Sequence, residues 1–226
     1  MERVGVIVPA AGSSTRMGGM DKLFIPLGDK PLLAWCVDTL EKSPRVGQIA
    51  IAVRAERMRD VESLGRERRW QKSHIACGGS RRQDSVAFAL GLLGEVDWVM
   101  VHDGDRPFLD EALIERGLEA ARETGIAVAS LPVKDTVKVV DSNGVVVATP
   151  ERDTLRAVQT PQVFRADVMR HVYSHLEETV TDDATLAERL GYPVRLYEGS
   201  CDNVKVTTPD DLVQAQSIAV RWGSRR

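Results

Sequence analysis

Val4-Gly5-Val6-Ile7-Val8-Pro9-Ala10-Ala11-Gly12-Ser13-Ser14-Thr15-Arg16-Met17-Gly18-Gly19-Met20-Asp21-Lys22 is the stretch on which the fold reading turns. Its first five residues form a short, nearly continuous apolar run, the pattern of a strand covered on both faces in a parallel sheet. Residues 48–53, 98–101 and 126–131 repeat that run, and 74–77 is a weaker copy. Between them, 32–40, 55–64, 85–93 and 110–124 have helical spacing, several opened by Pro, Asp or Ser at capping positions. Strand and helix in regular succession predict an α/β protein: a single doubly wound, mostly parallel, Rossmann-like sheet.

After Pro132 the rhythm changes. Residues 136–140 and 145–148 flank Asp141-Ser142-Asn143-Gly144, whose Asn-Gly is a strong hairpin signal. The expectation is a protruding β-arm, about 134–160. A lone two-stranded hairpin rich in valine is marginal in water, so it should pack on a second subunit, making the protein a homodimer. Further on, 182–190 reads as helix, 194–197 as strand, and Thr208-Pro209-Asp210-Asp211 as a helix start with an N-cap Thr, Pro at N1 and an acidic first turn.

At 226 residues the chain, 1–226, is expected to fold as one domain. Lys and Arg number 30 against 33 Asp and Glu, a formal charge of −3, so no global positive field is available for nucleic acid or an anionic membrane surface. Any anionic ligand must be met by a few placed cations. Cys36, Cys77 and Cys201 have neither CxxC spacing nor an even count, which argues against a disulfide scaffold or zinc knuckle and fits a reducing cytoplasm. The apolar run 4–8 is too short for a signal-peptide core, and no stretch approaches the 18 or so apolar residues of a membrane span.

The loop after the first strand carries the chemistry. Small residues let backbone approach a ligand, and successive N–H groups there make an anion cradle at the sheet edge where open α/β proteins bind ligands. Neither a G-x-G-x-x-G fingerprint nor a Walker A loop fits the register. What remains is a glycine-containing loop bearing two cations, Arg16 and Lys22. Asp103 follows the strand 98–101 and should emerge at the same edge, whereas His102 reads as a hydrogen-bonded structural residue and Arg81 and Arg82 as a solvated face.

Pro-Ala-Ala-Gly-x-x-x-Arg-Met at 9–17, Gly78-Gly79-Ser80-Arg81-Arg82-Gln83-Asp84-Ser85-Val86, His102-Asp103-Gly104-Asp105-Arg106-Pro107-Phe108, Lys134-Asp135-Thr136-Val137-Lys138, Gln159-Thr160-Pro161-Gln162-Val163-Phe164, Thr181-Asp182-Asp183-Ala184 and Asn203-Val204-Lys205-Val206-Thr207 lie in order along the chain. Together they resemble the 2-C-methyl-D-erythritol 4-phosphate cytidylyltransferases, within the nucleotide-sugar-transferase-like nucleotidyltransferases. The resemblance implies that CTP and a sugar-alcohol phosphate react at the α-phosphorus with Mg²⁺ present. It assigns Arg16 and Lys22 to the transition state, with Arg152 and Lys205 also catalytic. Pro9, Ala10, Ala11, Gly12, Gly79, Ser85 and Asp103 would hold the nucleotide, with Asp103 near the metal. Arg106, Thr136, Arg152, Thr160 and Lys205 would hold the acceptor, and the arm would reach a partner subunit's site. Two departures stand out: Asp21 replaces a usual Pro, and its carboxylate must face away from a phosphate held by Lys22; Gly104-Asp105 replaces a small apolar pair. A ribitol 5-phosphate cytidylyltransferase is the nearest rival; a nicotinamide-dependent oxidoreductase and a non-catalytic nucleotide binder are more distant ones.

Overall fold

The computed structural model describes residues 2–12, 21–176, 179–180 and 182–224. Eleven strands and seven α-helices follow one another: β1 (Val4–Pro9), β2 (Pro26–Leu27), β3 (Lys30–Pro31), α1 (Leu32–Lys42), β4 (Val46–Val53), α2 (Met58–Arg68), β5 (Ser73–Cys77), α3 (Arg82–Leu92), β6 (Trp98–Val101), α4 (Glu111–Thr124), β7 (Ile126–Pro132), β8 (Val139–Val140), β9 (Val146–Ala148), β10 (Arg156–Arg165), α5 (Ala166–Ser174), α6 (Asp183–Arg189), β11 (Arg195–Glu198) and α7 (Pro209–Gly223). Seven strands make the central sheet in the order β11-β7-β10-β6-β1-β4-β5. β10 runs antiparallel to both β6 and β7, and the other neighbouring pairs are parallel. The sheet is the mostly parallel one expected, with one strand reversed.

The period of two explains why β1 is apolar throughout. Val6 and Val8 join the core on the face covered by α1 and α4, while Ile7 joins the core on the face covered by α3 and α5. From β1 the chain steps outward to β4 and β5, then returns to β6 on the other side of β1. The strand order therefore reverses between β1 and β6, which places a ligand crevice outside their carboxyl ends.

Helix ends follow local chemistry. Asp110 caps α4 by accepting from Leu113 N at 2.7 Å, and Gly125 closes it in the left-handed region at φ 83°. Thr208 and Asp211 form a capping box on α7 with Pro209 at its first position, as expected. β10 and α5 were not anticipated. Pro161 interrupts the alternation that marks a strand, and the β10–β7 register shifts between Val158 and Gln162, around that proline.

β8 and β9 form the expected hairpin around Asn143-Gly144, with Gly144 at φ 79°. Val139, Val140, Val145, Val146 and Val147 are each 45% to 61% exposed, an apolar strip that the other described residues leave uncovered. Of the span 134–160, residues from Arg156 onward pair with β7 in the central sheet.

Away from the sheet edge, α1 buries Asp38 among three donors. Its carboxylate accepts from Lys30 Nζ at 2.8 Å, Trp70 Nε1 at 2.9 Å and the Arg68 guanidinium. Burial alone would raise the pKa of Asp38, but hydrogen bonds from Arg68, Lys30 and Trp70 outweigh it and hold the group below the ordinary carboxylate value.

Candidate active site

Three chain segments converge at the crevice between β1 and β6. Pro9, Ala10, Ala11 and Gly12 leave β1, Gly79 to Ser85 join β5 to α3, and Asp103 and Asp105 leave β6. Lys22, Leu23, Lys205 and Thr207 complete the lining. Every residue expected to hold the nucleotide therefore lines one pocket, together with Lys22 and Lys205. Arg16 lies outside the described residues.

Close packing of the first two segments requires glycine. A Cβ on Gly78 would stand 2.5 Å from the Ala11 Cβ, and one on Gly79 would stand 2.3 Å from the Asp84 Cβ. The Gly79-to-α3 turn is closed by the buried Ser85, whose Oγ accepts from Gly79 N at 3.1 Å and donates to Arg81 O at 3.3 Å. Ser85 thus fixes the loop that forms one wall.

Asp103 is the electrostatic centre. Its Oδ1 accepts from Arg82 Nε and Nη2 at 3.0 and 2.9 Å, and its Oδ2 accepts from Lys205 Nζ at 2.7 Å. Burial would raise its pKa, but Arg82 and Lys205 hold it well below the usual carboxylate range. Arg82 also donates to Asp183 Oδ2 at 2.8 Å, and Asp183 accepts a short bond from the Tyr173 hydroxyl. Burial works against the Arg82 charge, yet Asp183 and Asp103 raise its pKa above the ordinary value. This corrects the reading of Arg82 as part of a solvated face: it spans two acids inside the pocket wall. The signal that could have found it is an Arg at the start of a helix facing two Asp-containing loops, a juxtaposition only the topology supplies.

Beneath Asp103 sits a chain of satisfied neutral groups. Thr160 Oγ1 accepts from Asp103 N at 3.1 Å and donates to His102 Nδ1 at 3.3 Å, while His102 Nε2 donates to Arg106 O at 2.9 Å. Burial pulls the His102 pKa down to about 4, so the ring is neutral, the structural residue expected. Thr160 is buried with its hydroxyl engaged, and Arg106 points its guanidinium to Asn203 O at 2.8 Å. Thr136 and Arg152 stand apart from the pocket on the exposed arm region, with Arg152 donating to Lys134 O at 3.3 Å.

Asp21 turns its carboxylate away from Lys22, the arrangement expected of it. Its Oδ2 pairs with Arg57 at 2.6 Å and Arg54 at 2.9 Å, and its Oδ1 accepts from Leu23 N at 3.3 Å. The other departure, Asp105, pairs with Lys22 at 2.5 Å.

Residues 4–221 match the family model described as 2-C-methyl-D-erythritol 4-phosphate cytidylyltransferase. A protein of that name from Dehalococcoides mccartyi is 45% identical over 218 residues, covering 96% of each chain. Another from Geobacter metallireducens is 41% identical over 225 residues, covering 95% of this chain and 97% of its own. Among solved structures, the Thermus thermophilus enzyme of that name superposes with a TM-score of 0.79 at 32% identity, over 97% of this chain and 100% of its own. The Anaerococcus prevotii 4-diphosphocytidyl-2C-methyl-D-erythritol synthase reaches a TM-score of 0.86 at 27% identity, over 96% of this chain and 95% of its own. Matched by that family model over residues 4–221 and by relatives above 40% identity along nearly the whole chain, this chain belongs to the 2-C-methyl-D-erythritol 4-phosphate cytidylyltransferase family.

Proposed function

We propose that the enzyme transfers the cytidylyl group of CTP to 2-C-methyl-D-erythritol 4-phosphate, giving 4-diphosphocytidyl-2-C-methyl-D-erythritol and pyrophosphate for isoprenoid precursor synthesis. The match across residues 4–221 carries this reading. An oxygen of the acceptor phosphate forms a bond to the α-phosphorus of CTP as the bond from that phosphorus to the bridging oxygen breaks, and pyrophosphate leaves with the electron pair. The nucleophile is already ionised, so no general base is needed and the protein's work is alignment and charge neutralisation. Lys22 and Arg16 serve the transition state. Gly12, Gly79 and Ser85 belong to the walls against which the nucleotide lies, and Lys205, Arg106 and Thr160 to the acceptor side. Lys205 supplies a point charge, and Arg152 a planar fork that can grip a phosphate bidentately.

Mg²⁺ fits this pocket as an ion held mainly by phosphates. Among the described residues no cluster of three or more metal-ligating side chains exists, and Asp103 is the hard-oxygen ligand that would join substrate phosphates and water around it. Bound there, the ion would supply positive charge to offset that of the phosphates. The decisive assay supplies CTP, Mg²⁺ and methylerythritol phosphate and measures pyrophosphate; no release, or equal release with ribitol 5-phosphate, rejects the assignment.

The functional unit in this reading is a homodimer in which each arm brings Arg152 and Thr136 to the partner's pocket. The uncovered valine strip and the distance of both residues from the pocket support it. Mixing Lys22→Ala chains with Arg152→Ala chains, each nearly inactive alone, should restore about a quarter of wild-type activity, because half the dimers are mixed and each has one intact site. No restoration after subunit exchange would reject arm exchange. Among the described residues no helix is long and apolar enough to cross a membrane, and the balanced charge and free cysteines support action in the cytoplasm, without nucleic acid.

A further inference from the structure

Each described cation lining the pocket, Lys22, Arg81, Arg82 and Lys205, lies within 2.9 Å of a carboxylate oxygen. Three of these pairings tie down walls: Arg81 closes on Asp84 of its own helix, and Arg82 and Lys205 share Asp103. The pair Lys22–Asp105 is different. Its side chains are 14% and 11% exposed, and it joins a residue near the β1 loop to one 83 positions away. Among the described residues Asp105 makes no other side-chain bond: its Oδ1 is buried without a hydrogen-bond partner there. A buried carboxylate with half its acceptor capacity unused is a poor structural device, since an unmade bond to a buried polar group costs stability.

The backbone around Asp105 is held on both sides. Its carbonyl accepts from Val206 N at 2.9 Å, and Arg106 N closes the turn onto Asp103 O at 3.0 Å. The preceding Gly104 is packed so closely that a Cβ there would meet Ala10, Leu33 and Val8 at 3.1 to 3.2 Å. Lys22 is held less: among the described residues its ammonium reaches Asp105 and, at 3.4 Å, Val206 O. A polyanion entering the pocket therefore competes with the held carboxylate for the more loosely held lysine.

We infer that Asp105 sets the nucleotide affinity of this site: it is the counter-ion of Lys22, and the triphosphate of CTP binds by taking the lysine from it. The inference rests on the proposed function for the identity of the polyanion. It predicts that removing the carboxylate tightens binding, which general damage to a site does not do.

The experiment is calorimetric titration of CTP with Mg²⁺ into the full chain and its Asp105→Asn and Asp105→Ala variants, with melting temperatures measured alongside. The Kd for CTP should fall roughly 5- to 20-fold in both variants, the size expected when one charge pair no longer has to be broken. Acetylation of Lys22 by acetic anhydride, read by mass spectrometry without nucleotide, should run faster in the variants. Unchanged or weaker CTP binding in a variant that melts like wild type overturns the inference; if the Asn form melts early, the Ala form and the acetylation rate decide. Wild type that binds CTP but releases no pyrophosphate with methylerythritol phosphate defeats the proposed function while the role of Asp105 stands. Wild type that does not bind CTP defeats both.

Discussion

Lys22→Ala is expected to lower kcat roughly 100- to 1000-fold, the cost of removing one preorganised charge from where charge develops in the transition state, about 3–4 kcal/mol. Two features make the loss large. Lys22 lines the same pocket as Gly12, Gly79 and Asp103, the side on which the proposed reaction puts the phosphates, and no other described cation of that pocket lies on its segment. Its removal also leaves Asp105 without its ion-pair partner, so KM for CTP should rise as well. Lys22→Arg should recover part of kcat, and Lys22→Ala with Asp105→Asn should recover KM but not kcat. Steady-state kinetics on the four proteins check this, and near-normal turnover in Lys22→Ala excludes the lysine from the chemistry.

The second large effect lies outside the site. Asp38→Ala should cost about 3–5 kcal/mol of stability, because it removes the carboxylate to which the buried Lys30 ammonium and the Arg68 guanidinium are bonded. In a chain of this length that corresponds to a fall in Tm of roughly 6–20 °C, readable by calorimetry. The pH dependence has a defined sign. The folded pKa of Asp38 is depressed, so its contribution is fully present above the unfolded value near 4 and is lost as pH falls through the folded one. The wild type should therefore lose its advantage over Asp38→Asn in acid. A Tm difference that stays constant from neutral pH down through the acid range removes Asp38 from the account.

The parts of this protein legible in the sequence are those with a local cause. β1 and β6 announce themselves as apolar runs, α7 by Thr208, Pro209 and its acidic first turn, and the hairpin by Asn143-Gly144. Glycines 78 and 79 were readable as loop, but the need for Gly78 comes from Ala11 on a separate segment and the need for Gly79 from the tight approach of Asp84 at the start of α3. β10 was hidden because Pro161 breaks its alternation and its partners, β6 and β7, are known only from the tertiary fold. Arg82 was misread for a related reason: charge at a helix start looks solvated until Asp103 and Asp183 close around it from 21 and 101 residues away. The pocket residues were found through motif resemblance, whereas the pairing that joins Lys22 to Asp105 came only from geometry.

The row of groups under Asp103 makes the site electrically quiet. His102 is neutral from about pH 5 upward, with one ring nitrogen donating and the other accepting, and Thr160 passes that order to the backbone of Asp103. Asp103 stays ionised and Arg82 stays charged over the same interval. A histidine in the middle of a reaction centre usually ties a rate to acidity; here it is wired as scaffolding. Because none of these three side chains changes charge over that interval, the wall they form presents the same field to whatever enters the pocket.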